Sequence, residues 1–586
     1  MWQARGRQVV GKHVTTLLDI AFARAVDTLL ARFSAPEWQG CRLEAWVFED
    51  LATRREAGLA LGAAGVSATL HSAYKPLVHA YLEGGLAPGA IALPCHSAAL
   101  AQRFALEAYP LLGLEPGRWQ LVPGSAPLDY VMADGMTVFA PNRIGLDAHG
   151  GETLNSCGWL RVWRDDVLVL DGAMETEFEQ CLDAVMATVR RHDWPATMPF
   201  FETLHVEVRT GGICRKLDLG HECMDTSEAL HEELYFGLIE QFQVLAGLER
   251  GNRNLQPGQI VPEIRPGTGA TRLRVRLVSG LAEVAAGGDV TIETAARALD
   301  EAQIVRAMGE LEGEVFAATS VQGRPVPGVH RSGVLPGMVV TAGQHANETS
   351  GVVGLLRAAP ALFARRDAEV ALVALENPDG YALHRRLCAV HPRQMHHAAR
   401  YTALGDDLGA RLVAPFFEAD ARREAIARTS AVLHISLHGY PAQEWTRPLS
   451  GYVPSGFESW TLPCGFFLIL RHHPGRRAQG LAFLELLTAA LAQDPDLVAM
   501  NRAQMSLRDA HAGSADDALV LHDIACRLSE DTRSAAPFTL ITEYPDETIV
   551  GDAFCQAHTV QRDTVLQAAA LVWAGVLGGR DRGADA

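Results

Sequence analysis

Residues 339 to 356, VVTAGQHANETSGVVGLL, decide how the chain is read. The apolar run Met338–Ala342 has the continuous hydrophobicity of a strand buried on both faces. Gly343 breaks it, and from Thr349 onward the apolar residues recur with a helical period. His345 and Glu348 therefore fall in the turn and first helical residues beyond a strand's carboxyl end, the edge where open α/β sheets bind ligands. With 22 histidines and 69 acidic residues in 586, chance alone supplies about two or three His-x-x-acid spacings, so the pair proves nothing by itself.

The placement recurs downstream. AVLHISLHGY (431 to 440) puts His438 at the end of a second apolar run, EVALVALENPDG (369 to 380) ends a third at a turn, and FTLITEYPDE (538 to 547) puts Glu543 at the end of a fourth. Several metal-binding or acid-base residues sharing one sheet edge are far rarer by chance than one short motif. Two His and one Glu form a known ligand set for catalytic zinc, and a separate carboxylate can then act as the general base.

Composition bounds the alternatives. The length predicts two or more domains, and 48% hydrophobic with 20% charged residues is ordinary for a globular chain. A net charge of -18 argues against a nucleic-acid partner, because phosphate binding needs a positive footprint. No secretory leader is recognisable at MWQARGRQVVGKHVTT and no run reaches the ~18 apolar residues that span a bilayer, so a soluble cytoplasmic protein without a membrane partner is expected. Ten scattered cysteines, with no Cys-x-x-Cys pair, read as reduced and mostly buried thiols.

Organisation follows from pattern changes. Residues 1 to 255 mix amphipathic stretches such as VTTLLDIAFARAVDTLLARF with apolar runs such as CRLEAWVFED and VLVLDG, which suggests an α/β or α+β unit. NLQPGQIVPEIRPGTGATR interrupts that pattern with Pro and Gly. The runs RLRVRLVSG and AEVAAGGDVTIE then read as strands, and a helix is expected from about residue 293. The boundary is placed between 1–295, a domain of unassigned function, and 296–586, the domain that carries His345, Glu348, His438 and Glu543. Glu202-x-x-His205 and Glu228-x-x-His231 have the spacing of di-iron ligands in helical bundles. However, FETLHVEVRT reads as a strand and DTSEALHEELYF as a helix capped by Asp225, so no second metal site is expected.

With these motifs in order, the C-terminal half resembles the zinc carboxypeptidase family, peptidase family M14. TSVQGRPV (319 to 326), GQHANE, ENPDGY, SLHGY and LITEYP are similar to five segments of that family in the same sequence. The resemblance implies a mixed sheet flanked by helices, one zinc ion per chain held by His345, Glu348 and His438, and Glu543 as general base. RYTALGDDLGAR (400 to 411) resembles a further segment, which would make Arg400 the oxyanion-stabilising arginine and Asp407 the aspartate that orients the first zinc histidine. The family's Asn-Arg carboxylate clamp falls on Gly409 and Ala410. Arg411, Arg385 and Tyr440 are the residues expected to bind substrate instead.

The implied function is a zinc-dependent hydrolase cleaving an amide bond in a small peptide or peptide-like substrate. HANETSGV and the 90-residue interval from Glu348 to His438 also resemble the aspartoacylase and succinylglutamate desuccinylase group, so an N-acyl amino-acid deacylase is the first alternative. A catalytically silent metal-binding module is the second, and homo-oligomerisation is left open. The 105 residues from His438 to Glu543 imply an insertion near 445 to 525.

Overall fold

The computed structural model describes residues 13–94, 98–124, 127–280, 290–445, 447, 449, 460–512 and 519–578. The chain forms two compact units that alternate along the sequence. One is built on Gly280–Ala442 and Leu462–Ala586, the other on His13–Ser279 with the excursion Gln443–Thr461. Ala295 and Leu299 are already in the core of the first of these. Among the described residues no helix is long and apolar enough to cross a membrane. The described cysteines are free, and Cys41, Cys157, Cys181, Cys464 and Cys526 are buried.

The first unit is a mixed nine-stranded sheet flanked by helices. Its strands are β1 (Glu314–Thr319), β2 (Pro325–Arg331), β3 (Met338–Ala342), β4 (Val370–Val373), β5 (Leu433–Pro441), β6 (Phe467–His472), β7 (Leu519–Leu521), β8 (Ile524–Glu530) and β9 (Phe538–Glu547). They are ordered β1-β2-β4-β3-β5-β9-β6-β8-β7. The central four, β4, β3, β5 and β9, run parallel. That explains why they read as unbroken apolar runs, since parallel strands are covered on both faces.

The two faces have different covers. Met338, Val340, Leu433, Ile435, Leu437 and Leu540 pack in one core with helices α1 (Ser350–Ala364) and α4 (Asp552–Trp573). Val339, Ala371 and Val373 face the other way, against Ala421 and Ala425 of helix α3 (Ala419–Thr429). Helix α2 (Pro378–Cys388) follows β4. Register places Thr341 beside Ser436 and His438 beside Glu543. By strand alternation, Ser436, His438 and Glu543 lie on the α3 face of the sheet.

The other unit contains a four-stranded sheet ordered His13–Phe22, Thr271–Ser279, Thr203–Thr210, Gln259–Pro266. A second is ordered Val167–Met174, Gly158–Arg164, Arg42–Val47, Ser67–Ser72. Helix Thr226–Leu245 is capped by Asp225, which accepts from the amides of Ser227 and Glu228.

Some local expectations are corrected. Residues 14–22 form a strand, not the start of an amphipathic helix, because nine-residue antiparallel pairing with Thr271–Ser279 overrides the apolar spacing. Gln259–Pro266 is likewise a strand inside a Pro- and Gly-rich stretch; it sits at a sheet edge in parallel pairing with Thr203–Thr210, where proline is tolerated. The helix placed near 293 begins at Glu301, where Asp300 caps it. Most of AEVAAGGDVTIE lies outside the described residues.

Candidate metal centre

Gly343 makes the turn that leaves β3. It has a positive φ of 65°, and a Cβ there would lie 2.8 Å from Leu375 Cδ1. The turn delivers His345 and Glu348 ahead of α1, whose first amide, Ser350 N, is capped from β9 by Asp546 Oδ2 at 2.9 Å. A helix start that would otherwise leave donors unmet is thus tied to the strand carrying Glu543.

His438 is fixed through its main chain. Its amide donates to Thr542 Oγ1 at 3.2 Å, and its carbonyl accepts from Gln561 Nε2 at 2.9 Å. Thr542 in turn donates to Gln561 Oε1 at 2.7 Å, closing the loop between β5, β9 and α4. The next residue must be glycine, because a Cβ at Gly439 would fall 2.0 Å from Asp546 Oδ1. Its amide is then free to reach Glu348 Oε2 at 3.1 Å.

The side chains converge. His345 Nδ1 lies 2.7 Å from Glu348 Oε1, His438 Nδ1 lies 2.9 Å from Glu348 Oε2, and the two Nδ1 atoms are 3.1 Å apart. All three residues are buried, and their ligand atoms lie within 4.8 Å of one another. The other ring nitrogens are occupied elsewhere: His438 Nε2 meets Ser436 Oγ at 2.9 Å, and His345 Nε2 faces Asp407 Oδ1 at 3.4 Å. Partners on the outer nitrogens with both Nδ1 atoms turned to one carboxylate form the arrangement that two metal-binding imidazoles require. The donor set fits a divalent cation such as zinc. Among the described residues no other His, Cys, Asp and Glu group is gathered this closely.

Electrostatics follows from burial and neighbours. Burial alone would raise the Glu348 carboxyl, yet His345, Arg400 and His438 hold it well below the usual carboxylate range. Burial of Arg400 opposes its charge, but Glu348, 2.6 Å from NH1, keeps its value above the ordinary one. Glu543 is shifted the opposite way. Burial and the nearby charge of Glu348 push its carboxyl well above the usual range.

The structure brings together His345, Glu348, His438, Arg400 and Asp407, with Glu543 in register beside His438. It does not bring Arg411 or Arg385 to them, whereas Tyr440, two residues after His438 on the same strand face, interacts electrostatically with Glu543. Arg411 is a buried tie for its own loop, bonded to both Asp406 carboxylate oxygens, Thr402 Oγ1 and Phe416 O, with Glu418 at 3.3 Å. Arg385 pairs with Asp300 at 3.1 Å. The Tyr440 hydroxyl donates to Gly465 O and accepts from Cys464 N, bracing β5 against the chain before β6. Arg411 and Arg385 are spent on structure, which spacing alone does not reveal. Asp379 of NPDG is likewise a clamp, accepting from Ser320 Oγ, Gln322 N and Arg324 NH1.

Residues not anticipated from the sequence also surround the centre: Gln344, Glu376, Arg422 and Ser436. Arg422 is separated from Gln344 by 78 positions, so only the packing of α3 on the sheet reveals it. Position 409 is informative too, since a Cβ there would lie 2.9 Å from Gln344 Nε2 and 3.2 Å from Asp407 Oδ1. Gln344 thus occupies the room that a clamp side chain at 409 would need.

No family model matches the chain, and no curated protein matches it. Part of it is similar to solved structures at low identity. A candidate metallopeptidase from Shewanella denitrificans OS217 is 18% identical over 46% of this chain and 88% of its own, with a TM-score of 0.30. A metallo-carboxypeptidase from Pseudomonas aeruginosa is 17% identical over 54% and 77%, with a TM-score of 0.28. A murein-tripeptide amidase from Escherichia coli O157 is 15% identical over 45% and 95%, with a TM-score of 0.25. Likeness at this level carries no weight for the chemistry, which rests on the side chains described above.

Proposed function

We propose that the nine-stranded unit is a zinc-dependent hydrolase cleaving an amide bond by carboxypeptidase-like chemistry. The carrying observation is the convergence of His345 Nδ1, His438 Nδ1 and the Glu348 carboxylate, with Glu543 on the next strand. His345, Glu348 and His438 would hold the ion, which when bound supplies Lewis acidity toward a scissile carbonyl. Glu543 takes a proton from the attacking water and returns it to the leaving amine. Arg400, whose charge is kept by Glu348, is the fixed cation for oxyanion stabilisation, and Asp407 holds the outer nitrogen of His345.

The substrate reading narrows. Arg411 and Arg385 are engaged in ion pairs, and Gln344 fills the space beside Gly409. A C-terminal carboxylate clamp of the ordinary kind is therefore disfavoured. That favours peptide-like amides whose leaving group carries no free α-carboxylate over standard C-terminal dipeptides; the deacylase stays as the second reading.

The test is a screen of the zinc-loaded full chain against C-terminal peptides, N-acyl amino acids and esters. Amide turnover abolished by chelator and restored by zinc is expected. Bound metal without turnover on any of the three classes would instead indicate a silent metal-binding module.

A further inference from the structure

We infer that Glu547, assisted by Asn347, selects substrates that carry a primary ammonium group near the scissile amide. The inference rests on the amide-hydrolase reading of the centre and names the substrate class it would take. Neither side chain takes part in the chemistry described above.

Both residues lie beside the metal centre. Asn347 is in the turn between His345 and Glu348. Glu547 ends β9, in register with Pro441 just beyond His438 on β5. Its neighbour Asp546 reaches Ser350 N at the start of α1, so β9 passes alongside that turn. Glu543 and Arg400 both feel the charge of Glu547. Asn347 and Glu547 are each only 3% exposed. Even so, Glu547 Oε2 and both ends of the Asn347 carboxamide have no hydrogen-bond partner. Buried polar groups are nearly always satisfied, so open acceptors beside a reactive centre call for a donor that the protein does not supply.

The donors close by are already assigned. Ser350 N serves Asp546, while Gly439 N and Arg400 NH1 serve Glu348. Charge points the same way, because Glu348, Asp407, Glu543, Asp546 and Glu547 together outweigh Arg400 and a bound dication. Burial, then the charge of Glu348, pushes the Glu547 carboxyl well above the usual range, against the pull of Arg400 and of the adjacent Asn347. An ammonium beside it would reverse that penalty, and its three donors suit Glu547 Oε2 and Asn347 Oδ1. An incoming carboxylate would meet repulsion there, which agrees with the absence of a clamp at Gly409 and Ala410.

The test uses the zinc-loaded full chain and matched amide pairs that carry lysine or its uncharged isostere norleucine on either side of the scissile bond, all without a free α-carboxylate. Wild type should favour the lysine member by at least ~10-fold in kcat/KM, mainly through KM, as one buried charge-assisted hydrogen bond implies. A second readout needs no turnover. Calorimetry on the metal-free chain should show N-acetyl-lysinamide binding at least ~10-fold more tightly than N-acetyl-norleucinamide. Glu547→Gln should bring both ratios close to one, and Asn347→Ala should lower them, with melting temperature and zinc content as controls. Equal handling of lysine and norleucine by wild type, or an unchanged ratio in Glu547→Gln, would overturn the inference; if that variant does not fold, an unchanged ratio in Asn347→Ala would do so. Ammonium-selective binding without turnover of any amide would leave it standing and bring down the hydrolase reading instead.

Discussion

Both units bury clusters of carboxylates, and they settle them in opposite ways. In the unit built on His13–Ser279, helix Thr226–Leu245 buries Glu228, Glu232, Glu233 and Glu240. The excursion after β5 meets each of them with a donor: Gln443 to Glu228, Trp445 to Glu232, and Arg447 to Glu233 and Glu240. Glu444 meanwhile pairs with Lys75 at 2.7 Å, and its amide donates to Glu222. Such a network is complete as it stands. In the nine-stranded unit, Glu348 faces two imidazole nitrogens 3.1 Å apart, an arrangement in which one shared cation satisfies all three groups. Buried charge therefore marks a binding centre only where the donors converge on each other; where they pair off one by one, it marks a structural lock.

The largest effect expected on the structural side follows from removing a lock. Arg447→Ala leaves Glu233 and Glu240 buried without their cation, and breaking such a pair costs ~3–5 kcal/mol. Denaturant unfolding of the variant should show a loss of that order. A loss below ~1 kcal/mol would mean that the network is not the tie the geometry describes.

On the catalytic side, Glu543→Gln should keep zinc while turnover falls by at least ~100-fold, because the amide retains size but cannot accept the proton. Single-turnover rates alongside metal analysis check both halves. Near-normal turnover would remove Glu543 from the mechanism.

The two clusters were not equally legible in the sequence. Strands β3, β5 and β9 read directly as apolar runs, and His345 with Glu348 read as a local motif, because buried parallel strands and short turns are encoded by neighbouring residues. The lock could not be read that way. QEWTR resembles an exposed polar loop, and its partners lie more than 200 positions away. Arg411 misled for a related reason: its position one residue from the expected clamp suggested a substrate contact, whereas Asp406 and Glu418 claim it only in the folded loop. Arg422 carries no sequence signal toward Gln344, 78 positions away, since only helix packing brings it there.

A smaller effect is expected from pH. In the lock, burial and then the charge of Glu444 raise Glu222 from the ordinary 4.5 to about 8. A carboxyl raised in the folded state keeps a proton that the unfolded chain has released. Its contribution to stability is therefore full below pH 4.5 and is lost as pH rises toward 8, at no more than ~1.4 kcal/mol per pH unit. The stability of wild type relative to Glu222→Gln should fall across that window. A flat difference would show that Glu222 does not titrate there.

The smallest effect is expected at Arg385, a partly exposed partner of Asp300. Arg385→Ala should change stability by no more than ~1 kcal/mol and leave turnover within about threefold of wild type. A large rise in KM would return Arg385 to the substrate site.

Among its described residues the nine-stranded unit has one centre that calls for a cation, and elemental analysis of the purified full chain after zinc loading and desalting tests that directly. Wild type should retain about one zinc per chain, because the ligand set is assembled once among the described residues, and His345→Ala with His438→Ala should retain close to none. Full zinc occupancy in the double variant, or none in wild type, would contradict the account.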